Sequence, residues 1–132
     1  MKNRTTVVLD THPVILDTVL PEHNVMDELA ESEQEIRHIL DTHPEPLFLI
    51  FDIRQLRVLF DDLIAAASLT SRGQDPILRH PRIRGLYFVT DSAIIKMAAA
   101  GLNNTVFGNT KATVCATVEE ALADIERVMA AA

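Results

Sequence analysis

Tryptophan is absent from this chain, and cysteine and tyrosine occur once each, as Cys115 and Tyr87. A single cysteine excludes a disulfide framework and fits a reducing compartment, so a cytoplasmic protein is expected. Only four glycines occur. They build neither a Gly-rich loop around a phosphate nor the Gly-x-Ser-x-Gly turn of a hydrolase nucleophile. Long hydrophobic runs are missing as well. No stretch reaches the roughly 18 apolar residues of a membrane span, and Met1 to Arg4 lead into a strand-like segment rather than a signal-peptide core. Basic residues are not in excess either. With 12 Lys and Arg against 19 Asp and Glu, the net charge of −7 has the wrong sign for displacing counterions from a phosphate backbone. Nucleic acid is not an expected partner.

What the chain has is apolar residues: they make up 48% of its 132 positions. That length reads as one domain over residues 1–132, able to bury about two-thirds of its unfolded surface without a staple. The charge is localised. Residues 1–45 carry ten acids against Lys2, Arg4 and Arg37, whereas the rest of the chain is balanced. The acidic first third is therefore the part suited to meet a basic surface.

Thr5-Thr6-Val7-Val8-Leu9 and Val14 to Leu20 are rich in β-branched residues and are split by Thr11-His12-Pro13, which predicts two antiparallel strands. Met26, Leu29, Ile36 and Leu40 keep helical spacing over 25–40, with Glu33 interrupting the stripe. Arg37 and His38 suit the negative end of that helix. Leu47-Phe48-Leu49-Ile50-Phe51 is apolar without alternation, as in a strand covered on both faces. Asp61 caps an expected helix from Asp62 to Ser71, closed by Gly73. Leu86-Tyr87-Phe88-Val89 is the next strand, Asp91 caps a helix from Ser92 to Ala100, and Lys111 to Ala116 form a last strand. Thr117-Val118-Glu119-Glu120 has the form of a capping box before a closing helix through Leu122, Ile125, Val128 and Met129. The alternation predicts an α/β fold with a mixed sheet of about five strands, parallel except for the first, and about four helices mainly on one face. Leu9-Asp10-Thr11-His12-Pro13 recurs as Leu40-Asp41-Thr42-His43-Pro44. Its neighbours do not repeat, which makes it shared turn chemistry rather than a repeat.

Phe51-Asp52-Ile53-Arg54-Gln55-Leu56, an apolar strand running into a capped helix, resembles the corresponding segment of STAS domains, the anti-sigma-factor-antagonist fold. The strand end Leu86-Tyr87-Phe88-Val89-Thr90-Asp91 and the helix start Thr117-Val118-Glu119-Glu120-Ala121-Leu122 are similar to that family too, and the likeness in element order spans about residues 5–130. The resemblance implies a non-enzymatic, protein-binding regulatory module. Partner-switching members carry an Asp-Ser-Ser-Gly-like stretch whose serine is phosphorylated. Counted from Asp52, that stretch falls on Phe60-Asp61-Asp62-Leu63, where carboxylates replace both hydroxyls and the glycine is missing. The same two acids also read as ordinary N-terminal capping and dipole compensation.

Ligands of doubly wound sheets bind beyond the C-terminal ends of parallel strands. That edge presents Asp52, Arg54 and Arg57 from one loop and Thr90 from the next; with Asp61 and Asp62 they form the expected partner-binding surface. A strand-end Asp52 with a strand-end Thr90 also resembles a response-regulator receiver. That family needs an acid pair after its first strand, where Asp10 stands alone, and a lysine after its last, where Cys115-Ala116-Thr117 has none. The alternative for Asp52 is a structural carboxylate bonding its own loop. An enzyme would use Asp52, Asp61 or Asp62 as general base with Arg54 or Arg57 holding an anion.

The five histidines His12, His23, His38, His43 and His80 lack metal-ligand spacing, and neither a metal nor a cofactor is expected. Cys115, between Val114 and Ala116, reads as a small hydrophobe inside a strand. Arg72, Arg79, His80, Arg82 and Arg84 form one basic cluster: an anion or acidic-partner site, a dock for the acidic helix of a second copy, which would make a homodimer, or simply a solvated connection. The segment 101–109, with Leu102 and Phe107, offers the alternative function: a small-ligand or lipid-binding pocket walled by Met97 and Ile94.

Overall fold

The structure, a computed structural model, describes residues 4–20, 25–55, 77, 80–93, 96–97 and 112–131; of Arg4 and residues 25–30 it describes the backbone alone. Five strands form one sheet: β1 (Arg4–Val8), β2 (Val14–Val19), β3 (Leu47–Asp52), β4 (Ile83–Val89) and β5 (Thr113–Cys115). Their order in the sheet is their order in the chain. β1 pairs antiparallel with β2, and every later pair is parallel. The expected α/β mixed sheet, mostly parallel, is thus present. Two helices are described, α1 (Val25–Thr42) and α2 (Val118–Ala131).

β3 is central because it can be buried on both faces. Leu47, Phe48, Leu49 and Ile50 are each 1% exposed or less, and each such side chain contributes about 1.5–3 kcal/mol by leaving water. Alternation along the strand divides them. Leu47 and Leu49 join Ile15, Leu86 and Ile77 under Ile36 and Leu40 of α1. Phe48 and Ile50 join Val14, Tyr87, Val89 and Cys115 under Ala121 and Ile125 of α2. Of the expected helices, the two described ones therefore cover opposite faces. The physical reason lies in connectivity. α1 is a crossover between the parallel strands β2 and β3, where handedness chooses the face. α2 follows the last strand, so it is free to close the other side. The expected helix over 62–71 lies outside the described residues, as does most of the one over 92–100. Where that second segment is described, Ala93, Lys96 and Met97 are helical, and Lys96 N–H donates to Ser92 O at 3.0 Å.

Both helices are anchored by specific polar contacts. At the start of α2, Glu120 N–H donates to Thr117 Oγ1 (3.1 Å) and Ala116 N–H donates to Glu120 Oε2 (3.0 Å). This is the capping box with its return bond shifted by one residue. At the end of α1 there is no basic residue in the last turn. Arg82, from the turn before β4, supplies the cation instead: its guanidinium donates to Leu40 O at 2.7 Å and to His43 O. Its own N–H donates to Nδ1 of buried His80, whose Nε2 faces Asp41 Oδ1 at 2.8 Å. That donation leaves the proton of a neutral ring on Nε2, where Asp41 accepts it. Two members of the basic cluster are thus spent inside the chain, on the C-terminal end of the first helix. Arg84 lies over the Phe48 ring, and Arg72 and Arg79 lie outside the described residues.

Candidate functional site

The C-terminal edge of the parallel strands carries three stitched ends. Beyond the ladders, Ile53 N–H still donates to Val89 O (3.0 Å) and Thr90 N–H to Cys115 O (2.9 Å). These bonds hold the loops after β3 and β4 beside the start of α2. The side chains that matter here are set by this framework.

Asp52 ends β3 with its carboxylate almost wholly buried. Arg54, two residues on, folds back over it: Nε donates to Oδ1 at 2.9 Å, Nη2 to Oδ2 at 2.7 Å, and the Arg54 N–H to Oδ1 at 3.3 Å. Such a fork on both oxygens is the strongest form of carboxylate hydrogen bonding. The Arg54 side chain holds the Asp52 carboxyl below the usual carboxylate range, against burial, which acts in the opposite direction. Arg54 is in turn held protonated, first by its bond to Asp52 and then by the charges of Asp52, Glu119 and Asp91. One guanidinium thus gathers charge from the loop after β3, the loop after β4 and the first turn of α2. Its side chain is 42% exposed, so the charge faces solvent from a fixed position.

Thr90 is fully buried, and its Oγ1 accepts the Ser92 N–H at 3.1 Å. Its part in the expected surface is therefore to shape the 90–92 loop from beneath rather than to touch a partner. Asp52 acts in the same way beneath Arg54. Arg57, Asp61 and Asp62 lie outside the described residues.

The chemistry open to this edge follows from those contacts. A general base at neutral pH needs a raised carboxyl pKa and an open lone pair. Asp52 has a lowered pKa and three donors on its two oxygens. It bonds its own loop, as the structural alternative had it. Cys115 is buried, and desolvation, followed by the charges of Glu120 and Asp124, pushes its thiol up, away from thiolate chemistry. No group of three or more potential metal ligands occurs among the described residues. Met97, proposed as a pocket wall, is 67% exposed; Ile94 and the 101–109 segment lie outside the described residues.

Some polar features escaped the sequence reading. Asp17 is 2% exposed in the middle of β2 and accepts the Thr6 hydroxyl at 2.9 Å. Its signal was a carboxylate at an inward position between Ile15 and Val19. Tyr87 donates to Asp124 Oδ2 of α2 at 2.6 Å, and Arg127 pairs with the same carboxylate. No helix among the described residues is long and apolar enough to cross a membrane. In comparisons with known proteins, no family model, no curated protein and no solved structure matches the chain.

Proposed function

We propose that this chain is a non-enzymatic regulatory module that binds another protein through the loops at the C-terminal edge of its sheet. The observation that carries the reading is Arg54: an exposed guanidinium fixed by a buried carboxylate, between Asp91 and Glu119. Arginine is favoured at interface hot spots, and a side chain already held in place loses less entropy on binding. Arg57, Asp61 and Asp62 extend this surface, with Asp52 and Thr90 supporting it from below.

The reading takes the chain as a STAS-like antagonist, acting in the cytoplasm, in which acids occupy the phosphorylatable positions. An opening antiparallel strand followed by parallel strands in chain order supports it, and a complement of about four helices is part of it. The charge at Asp61 and Asp62 is then permanent, and binding is not switched by a kinase.

The test is affinity capture with cross-linking from cells of the source, comparing wild type with Arg54→Ala, Asp61→Ala with Asp62→Ala, and the distant control Arg127→Ala. A protein retained by wild type and the control but lost with Arg54→Ala is the expected result. Equal recovery by Arg54→Ala, with its fold confirmed by circular dichroism, would overturn the reading.

A further inference from the structure

At the opposite edge of the sheet, a groove of about 670 Å³ opens between the β1–β2 turn, the segment leading into β3, β4 and the last turns of α2. Its size falls in the range of small-molecule sites. Arg84 stands in it by construction. The β3–β4 register slips by one residue, so that Leu47 pairs with Ile83 and Phe48 with Gly85, leaving Arg84 as the extra residue. Bulges between parallel strands are rare, and a bulge re-aims the side chain it inserts. The Arg84 guanidinium lies 4.8 Å from the centroid of the Phe48 ring, and that ring occupies the space a Cβ at Gly85 would need. Among the described residues Arg84 has no carboxylate within ion-pair distance. The groove's two histidines are already engaged, His12 with Glu126 and His43 with the Glu45 backbone. Among the described residues, Arg84 is therefore the one cation lining the groove whose fork has no carboxylate partner.

Two further properties narrow the ligand. Val8 and Met129 are exposed hydrophobics on the groove wall, beside Leu9. Asp10 and Glu45 also line it, both exposed. With one guanidinium and two carboxylates, the lining repels phosphates and other polyanions, and a simple anion gains little. A ligand carrying both charges and an apolar side chain meets every part of it. We propose that this groove binds a small apolar zwitterion, an amino acid of the leucine class: its carboxylate on Arg84, its ammonium towards Asp10 and Glu45, and its side chain on Val8, Leu9 and Met129. This site is separate from the Arg54 surface and does not depend on that assignment.

The experiment is NMR or calorimetric titration of the full chain with L-leucine, 4-methylpentanoate (the acid alone) and 3-methylbutylamine (the amine alone). Leucine is expected to bind at least about tenfold more tightly than either half-molecule, and Arg84→Gln to weaken it by about tenfold or more, as loss of a charged fork does. Asp10→Asn with Glu45→Gln is expected to weaken leucine while 4-methylpentanoate, relieved of their repulsion, binds as well or better. No leucine binding up to about 10 mM, equal binding of the acid alone, or undiminished binding by a folded Arg84→Gln variant would each overturn the assignment.

Discussion

Gly85 and Phe48 face each other across the β3–β4 ladder so closely that a Cβ at position 85 would stand 2.9 Å from Phe48 Cδ1. Phe48 is 1% exposed and packed between Val14, Ile50 and Tyr87 on the α2 side of the sheet, so its ring has little room to retreat. Gly85→Ala is expected to destabilise the fold by about 1–3 kcal/mol, the usual cost of overpacking a filled core. Urea denaturation measures it. An unchanged midpoint would mean that the ring and Arg84 above it move freely.

Asp52 is held ionised by Arg54. Its folded-state pKa lies below the unfolded value of about 4. The contribution is present above the unfolded pKa and is lost as pH falls through the folded one. Asp52→Asn is expected to lower stability at neutral pH by about 1 kcal/mol, discounted for the solvent exposure of Arg54. It is also expected to flatten the acid limb of the stability profile below about pH 4. Denaturation midpoints of both proteins from neutral to acid pH check both effects.

Tyr87 is the only tyrosine, and the chain has no tryptophan, so its ultraviolet titration reports one group. Burial, and then the bond to Asp124, push its phenol well above the usual value of about 10. The folded protein is expected to show no phenolate absorbance there. Stability is expected to fall as pH rises past the unfolded value, since only the unfolded chain then releases this proton. Tyr87→Phe removes that alkaline loss and costs about 1 kcal/mol at neutral pH. A normal titration of the folded protein would contradict the buried hydrogen bond.

Arg82 closes the C-terminal end of α1 from a distant turn. Arg82→Ala leaves the Leu40 and His43 carbonyls without this donor and is expected to cost about 2 kcal/mol. Arg82→Lys restores little, because a point ammonium cannot reproduce the planar fork. Hydrogen exchange localises the effect: the His43 amide, which donates to Ile39 O, is expected to exchange faster in both variants.

The sheet was legible because its strands announce themselves. Leu47 to Phe51 is an unbroken apolar run, and Thr117 with Glu120 spells its cap. The apolar pattern predicts β4 three residues too short, because Arg84 and Gly85 interrupt it where the strand bulges. Glu33 interrupts the apolar stripe of α1, yet the helix runs through it. Burial raises the Glu33 carboxyl, and Arg37 four residues on pulls it back. The partner of Asp52 was visible only as neighbouring text, since no periodicity says that Arg54 turns back rather than outward. The alliance of Arg82 and His80 with the end of α1 joins residues about forty positions apart, beyond the reach of local patterns.

Strand order that follows chain order lets the sheet grow at one edge as synthesis proceeds, each new parallel strand docking beside the one made before it. One side of that growing sheet receives α1 early. The other side, with Val14, Phe48, Ile50, Tyr87 and Val89, waits for Ala121 and Ile125 of the last described element. Among the described residues no other helix covers that side, so this part of the core closes last.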